Sequence, residues 1–211
     1  MDVSILLFYN KDRGYLNEAI KSAAAQEFGG TFEIITQCAF QSTSKNINQG
    51  VNKCSGKYIK LLADDDIMEP NCIQDLFNKA EQGFDIVCAG AKHIDATGNV
   101  IDIFMSYIPR DVRTLALDNT LHGATMLYRR ELLYLNETLN FGEEFDYHLR
   151  MADLGYKFGL CKSFVYKYRL HDNQKSMQGG FTDGQIYIKR KREIRSTIVE
   201  RYENNTKQIQ Q

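Results

Sequence analysis

The sequence carries no long apolar run, no closely spaced cysteine pair, no block of one charge sign and no internal repeat. Nothing in its 211 residues approaches the roughly twenty consecutive apolar residues that a membrane-spanning helix needs. The N-terminal run Val3-Ser4-Ile5-Leu6-Leu7-Phe8-Tyr9 is too short for a signal-peptide core and has no basic residue before it. Lys and Arg total 26 against 27 for Asp and Glu, so no field of one sign points to nucleic acid or to a membrane surface. The five cysteines, Cys38, Cys54, Cys72, Cys88 and Cys161, form no CxxC pair and sit mostly in apolar runs. That pattern predicts reduced, buried thiols in a reducing compartment. These absences lead to the expectation of a soluble cytoplasmic protein with no nucleic-acid partner.

What is present is an alternation of apolar runs and helical stripes. Val3 to Tyr9 reads as a strand covered on both faces. Leu16, Ala19, Ile20 and Ala23 follow at helical spacing as one buried stripe, stopped by Gly29-Gly30, and Thr31 to Thr36 is the next strand. Such a βαβ unit crosses over right-handed. Ile47 and Val51 place a short helix over Ser44 to Lys53 with Ser44 as its N-cap. The central strand is Lys57 to Leu62, and Pro70 opens a helix whose inward stripe is Ile73, Leu76, Phe77 and Ala80. Phe84 to Ala91 is a further strand, and the turn chemistry of Asp95 to Asn99 predicts a hairpin from Ala89 to Phe104.

Ser106 to Asn119, which contains Pro109, reads as a surface loop or lid. His122 to Tyr128 is predicted as strand and Arg129 to Leu133 as a short helix. Gly142 opens a helix with Leu149, Met151, Ala152 and Leu154 as its apolar positions, and Tyr156 to Leu170 returns as strand. The basic tail (Lys189 to Arg192, Arg195) spaces Ile186, Ile194, Ile198 and Val199 roughly as a helix does. One α/β domain over residues 1–176 with a helical tail over 177–211 is the simplest account.

The central strand ends in Asp64-Asp65-Asp66. Three adjacent carboxylates repel one another, so they either face water as a solvated turn or are neutralised by a cation. Oxygen ligands at the mouth of a strand suit a hard ion, Mg²⁺ or Mn²⁺, that also grips phosphates. In open α/β sheets ligands gather outside the carboxyl ends of the strands. Tyr9-Asn10, Glu143-Glu144-Asp146 and His171 also fall at ends of apolar runs or at a helix start. A shared position of that kind marks a candidate site.

The ordered segments carry a resemblance. Ser4 to Asn10 with Tyr15 to Ser22 and Gln26 comes first, then Gly56 to Ile59 with the acid triplet and Pro70. Glu143 to Arg150 with Gly155-Tyr156-Lys157 follows, and Tyr168-Arg169-Leu170-His171 with Ser176 closes the series. In that order they resemble the family 2 glycosyltransferases of the GT-A fold, from about Val3 to Ser176. The resemblance implies a GT-A type, Rossmann-like, mostly parallel twisted sheet flanked by helices, with a small mixed sheet on the acceptor side. It also implies inverting, metal-dependent transfer of a sugar, as in polysaccharide biosynthesis. The donor would be a nucleotide diphosphate sugar and the acceptor a hydroxyl of a carbohydrate or lipid-linked molecule.

Residue roles follow from the same resemblance. Asp64, Asp65, Asp66 and His171 hold Mn²⁺ or Mg²⁺, the first acid lying near the ribose. Tyr9 lies against the nucleotide base, and Asn10, Arg13 and Asn48 join it on the nucleotide side. Glu144 is the catalytic base that takes the acceptor's proton, with Asp146 the second candidate. Carboxylates at this helix start are also favoured by the helix dipole alone. His122-Gly123 is placed near the acceptor, while His93 and His148 are read as structural.

The chain departs from the family after its second strand. Ile34 to Phe40 holds no acid to read the base, and Gln37 is expected to take over that edge. Ala63 stands where the first Asp of the D-x-D-D form is usual. Two rivals stay open at this point. A sugar nucleotidyltransferase needs a Gly-rich loop after the first strand, where Asn10 to Tyr15 offers only Gly14. A non-catalytic relative that binds sugar nucleotide is permitted by the missing acid. The tail is expected to lie on the inner face of a membrane, to pack on a second copy of the chain, or to stand as a solvated helix.

Overall fold

A computed structural model describes residues 1–111, 114–115, 120–139 and 142–174, together with 196, 199 and 200. In chain order the elements are β1 (Val3–Tyr9), α1 (Leu16–Ala24), β2 (Phe32–Cys38), α2 (Thr43–Val51), β3 (Tyr58–Ala63), β4 (Ile67–Met68), α3 (Cys72–Ala80), β5 (Ile86–Ile94), β6 (Val100–Met105), β7 (Leu127–Arg129), α4 (Glu143–Asp153) and β8 (Phe158–Arg169). The strands form one sheet in the order β2-β1-β3-β7-β5-β8-β4, with β6 paired to β5. β1 is parallel to β2 and β3, and β5 is parallel to β8. β7 runs antiparallel between β3 and β5, so the parallel half and the expected small mixed sheet are one continuous surface.

Two cores lie on opposite faces of this sheet. Along β1 the period of two sends Val3, Ile5 and Leu7 to the face covered by α1 and α3, and Leu6 to the other. Ala19 and Ala23 of α1 join Ile73, Leu76 and Ala80 of α3 on the first face. Ile47 of α2 joins Phe145, Tyr147, Leu149 and Met151 of α4 on the second. Each fully buried Leu, Ile or Val contributes about 1.5–3 kcal/mol, and the contributions converge on β1 and β3. That burial fixes the carboxyl ends of these two strands, where the acid cluster begins.

Several local expectations are corrected. Ile20 and Leu154 are exposed rather than inward, at 37% and 68%. Helix α1 stops at Ala24, before Gly29-Gly30. Ser42, not Ser44, caps α2 by accepting from the Lys45 N–H at 3.4 Å, while Ser44 is buried in the first turn. Pro70 precedes the N-cap Asn71 of α3 instead of entering its first turn. His122 to Met126 is not strand: Gly123–Thr125 forms a 3-10 turn, and only Leu127–Arg129 pairs in the sheet. Arg130–Leu132 is a 3-10 turn where a short helix was expected.

The hairpin of β5 and β6 forms around Asp95, whose carboxylate accepts from the N–H groups of Thr97 and Asn99. Of the expected lid, residues 112, 113 and 116–119 lie outside the described residues; Ser106 and Leu115 are buried. The tail lies outside them too except for residues 196, 199 and 200, and Val199 packs against the α2 and α4 side of the core. Among the described residues no helix is long and apolar enough to cross a membrane.

Candidate active site

The carboxyl ends of β1 and β3 open into a cavity of about 560 Å³, within the range of small-ligand sites. β1 delivers Tyr9 and Asn10 to its rim. Asn46, buried in α2, fixes that strand end by donating to the Tyr9 carbonyl at 2.9 Å and to Asn10 Oδ1 at 3.4 Å. Burial raises the Tyr9 phenol above its ordinary range. Arg13, from the loop after β1, lays Nη1 against both carboxylate oxygens of Asp64, at 2.9 and 3.2 Å. Asp64 is only 2% exposed. Its burial raises the carboxyl pKa, and the Arg13 guanidinium opposes that shift.

The three aspartates have different surroundings. Asp66 points inward, accepting from the Tyr166 hydroxyl at 3.0 Å and the Arg169 N–H at 2.8 Å. Burial, then the nearby Asp65 charge, pushes it well above the carboxylate range. Asp65 meets His171 instead, with 3.1 Å between Oδ2 and Nε2. Buried Arg169 braces the turn: its Nε donates to the Asp65 carbonyl at 2.9 Å, its Nη2 pairs with Glu18, and Tyr15 lies 4.4 Å from the guanidinium carbon. The triplet is therefore a braced turn that presents one carboxylate–imidazole pair.

Among the described residues no group of three His, Cys, Asp or Glu side chains is preassembled for a metal. The donor chemistry nevertheless fits a hard divalent ion. Such ions usually take one or two protein carboxylates and complete their shell with water and substrate phosphates. Asp65 and His171 would hold the ion, since Asp64 and Asp66 are engaged by Arg13, Tyr166 and Arg169.

Helix α4 brings in the second group of acids. It starts at Gly142, whose φ of 70° is left-handed and suits glycine. Glu143 and Glu144 line the cavity. The Glu144 carboxylate rests on Gly123, where an added Cβ would fall 2.9 Å from Oε2. Glycine therefore admits a protein carboxylate at this position. Asp146 is 1% exposed, does not line the cavity, and pairs with Arg150 Nε at 2.9 Å.

Beneath these acids lies Lys60, which sequence inspection did not single out. It is fully buried in β3, and its Nζ donates to the carbonyls of Leu61 at 2.8 Å and Ala124 at 2.6 Å. The ammonium sits 4.3 Å from the centre of the Tyr166 ring. Burial lowers its pKa to about 8, opposed by the charges of Cys72, Asp66 and Glu144. A lysine within an otherwise apolar strand, four residues before the triplet, was the signal available in the sequence.

Other placements differ from expectation. Gln37 does not line the cavity: its Oε1 accepts from Lys53 Nζ at 2.6 Å and its Nε2 donates to Gln49 at 3.4 Å. Asn48 also lies away from the cavity, bonded to the backbone of Leu135 and to Glu137. His93, read as structural, lines the cavity beside His122, with 3.3 Å between the two Nε2 atoms. His148 borders it but is buried against the Tyr128 hydroxyl, and burial lowers its pKa to about 3.

Comparison with known proteins agrees with this arrangement. The model of the glycosyl transferase family 2 matches residues 41–135, from the start of α2 past the acid triplet and Gly123. A protein of Methanocaldococcus jannaschii described as an uncharacterized glycosyltransferase is 24% identical over 201 residues, covering 79% of this chain and 69% of its own. One from Haemophilus influenzae, described in the same words, is 25% identical over 173 residues, covering 70% of this chain and 51% of its own. The fold matches crystal structures of residues 1–349 of S. aureus TarS. The complex with UDP-GlcNAc superposes with a TM-score of 0.66 at 15% identity, covering 82% of this chain and 60% of that one. The complex with UDP gives 0.65 at 15% identity, covering 82% and 61%. This likeness establishes a GT-A type fold, and the chain spans about 60% of the TarS chain.

Proposed function

From the match of residues 41–135 to the glycosyl transferase family 2 and the likeness to glycosyltransferase relatives, we propose that the chain is a glycosyltransferase of that family. It moves a sugar from a nucleotide diphosphate sugar to a hydroxyl acceptor with inversion at the anomeric carbon. The observation that carries the reading is the shared cavity. Asp65, whose carboxylate meets His171, and the Glu144 carboxylate face it from the turn after β3 and from α4, with Tyr9, Asn10 and Arg13 at the end of β1. A donor uses one end and an acceptor the other.

The chemistry follows from what each end supplies. Tyr9 offers a ring to a flat base, and Asn10 and Arg13 offer donors to the nucleotide. Asp65 and His171 would hold Mn²⁺ or Mg²⁺, which would supply positive charge to offset that of a departing diphosphate. Glu144 accepts the proton from the acceptor hydroxyl as its oxygen bonds to the anomeric carbon. The bond from that carbon to the diphosphate oxygen breaks, and its electron pair leaves with the diphosphate. One displacement from the opposite face inverts the centre. The acceptor belongs to the carbohydrate or lipid-linked hydroxyls. UDP-sugars are the first donors to test, because TarS binds UDP and UDP-GlcNAc.

A thermal-shift panel of nucleoside diphosphates, with and without Mn²⁺, tests the donor half directly. A ligand at a hundred times its Kd stabilises a protein by about 2.7 kcal/mol, well within reach of a melting curve. The expected result is a Mn²⁺-dependent rise with UDP. If no nucleoside diphosphate moves the melting point with or without Mn²⁺, the reading is wrong.

A further inference from the structure

Tyr15 does not line the cavity, yet its ring packs on two groups at the end of β8 and just past it. The His171 imidazole lies with its centroid 5.0 Å away and its plane tilted by 50°, and the Arg169 guanidinium carbon lies at 4.4 Å. Resting on the reading of Asp65 and His171 as the residues that would hold the ion, we propose that Tyr15 is a positioning residue: its ring sets the His171 imidazole against Asp65.

A tyrosine side chain brings little to the helix on which it stands. Tyr15 is the N-cap of α1, a position at which Ser, Thr, Asp or Asn would accept from a first-turn N–H and add about 1 kcal/mol; its side chain makes no such bond. The backbone is tied in nonetheless, since the Tyr15 carbonyl accepts from the N–H groups of Glu18 at 2.9 Å and Ala19 at 3.1 Å. Ala19 and Ala23 anchor α1 in the core, so the ring is carried on a fixed element. A local rule broken without a local gain points to a role beyond the helix.

The other group that the ring touches is fixed as well. Arg169 is 2% exposed, and its guanidinium donates to the carbonyls of Asp65 at 2.9 Å, Asp95 at 3.3 Å and Ala96 at 3.1 Å and pairs with Glu18. Tyr15 therefore connects the imidazole to a cation that also holds the backbone of Asp65. His171 Nε2 meets Asp65 Oδ2 at 3.1 Å. An ion held by both residues would take the place of that hydrogen bond, whereas the contact with the Tyr15 ring restrains the imidazole without competing for it. Groups that orient a metal's ligands are worth about 10–100-fold in affinity.

Titration calorimetry of Mn²⁺ into the full chain with UDP tests the assignment on Tyr15→Leu, Tyr15→Phe, His171→Ala and the double variant of Tyr15→Leu with His171→Ala. Tyr15→Leu should bind Mn²⁺ about tenfold more weakly, the low end for an orienting group, while Tyr15→Phe, which keeps the ring, should match the wild type. Because Tyr15 acts through His171, the double variant should bind no more weakly than His171→Ala alone. A Tyr15→Leu chain that binds Mn²⁺ as the wild type does overturns the proposal, and so does a loss that multiplies with that of His171→Ala. The wild type supplies a check that needs no variant to fold. Nuclear Overhauser contacts between the Tyr15 and His171 rings should persist when UDP and diamagnetic Mg²⁺ are added, and their disappearance also overturns it. If no chain responds to Mn²⁺, a His171 ring resonance that moves in Tyr15→Leu but not in Tyr15→Phe keeps the positioning role and loses the metal reading. An unmoved resonance loses both.

Discussion

The Nζ of Lys60 lies 2.6 Å from the carbonyl oxygen of Ala124, so a fully buried ammonium in β3 holds the turn on which the Glu144 carboxylate rests. Lys60→Met keeps the volume and removes both the charge and the donor. Displacing a catalytic group by about 1 Å costs on the order of a hundredfold in rate, so turnover should fall at least tenfold. The UDP–Mn²⁺ thermal shift, which reports the other end of the cavity, should persist. Equal turnover in Lys60→Met and wild type would show that the tie has no role in positioning.

The same residue makes stability depend on pH in a known direction. Its folded pKa of about 8 lies below the ordinary 10.5 because burial disfavours the charge. At about 1.36 kcal/mol per unit the buried charge costs on the order of 3 kcal/mol below pH 8. Leaving the Leu61 and Ala124 carbonyls without that donor costs about 1–3 kcal/mol each, the same order as the relief, so Lys60→Met and wild type should be close in stability at pH 7. Between about pH 8 and 10.5 the unfolded chain binds the proton that the folded chain has released, so this group adds stability as pH rises. Urea titrations at pH 7 and pH 10 should therefore show the wild type gaining on the variant by up to that amount.

Asp65 and His171 meet at 3.1 Å while Asp64 and Asp66 are held by other partners. Asp65→Ala should abolish the Mn²⁺-dependent part of the UDP shift. His171→Ala should weaken the response to Mn²⁺ about tenfold and change the response to Mg²⁺ less, since imidazole suits the transition metal better. Isothermal titration of Mn²⁺ in the presence of UDP reads both effects. An undiminished Mn²⁺ response in Asp65→Ala would move the ion elsewhere.

Two acids of α4 should separate cleanly. Glu144→Gln is expected to keep the nucleotide shift and to lose turnover by 100-fold or more, in line with general-base contributions of about 10²–10⁴. Gly123→Ala should lose turnover too, because its Cβ would stand 2.9 Å from Glu144 Oε2. Asp146→Asn breaks the pair with Arg150 from a buried position and should lower the melting temperature more than the rate constant. Steady-state kinetics beside melting curves distinguish the two behaviours, and normal turnover in Glu144→Gln would move the base to another residue.

How legible the molecule was in its sequence depended on how local the cause of each feature is. The strands and helices around Val3 to Ala24 and Lys57 to Phe104 could be read because burial on both faces leaves unbroken apolar runs and stripes. The hairpin could be read because the Asp95 side chain and Gly98 shape its turn within five residues. His122 to Met126 misled because its composition suits a strand, whereas the turn there is held by Lys60, sixty-four residues earlier. Similarly, no local pattern shows that Asp66 faces Tyr166 while Asp65 faces His171. Those partners arrive from β8 and the segment after it, about a hundred residues later. His93 gave no signal because its place at the cavity is defined by His122, twenty-nine residues later.

Asn48 provides a test of position against likeness. Family resemblance put it with the nucleotide, yet its Nδ2 donates to the Leu135 carbonyl at 2.9 Å and to Glu137 at 3.0 Å, and its Oδ1 accepts from the Leu135 N–H at 2.9 Å. Helix α2 is thereby fastened to the segment after β7 through a side chain only 5% exposed. Removing it leaves one buried N–H and one buried carbonyl without these partners, each costing about 1–3 kcal/mol. Asn48→Ala should therefore lower the unfolding free energy by roughly 2–6 kcal/mol on that scale, while the UDP–Mn²⁺ increment to the melting temperature stays as in the wild type. An Asn48→Ala protein with a normal melting temperature and a lost UDP increment would instead return the residue to the nucleotide. Both quantities come from one melting experiment with and without ligand.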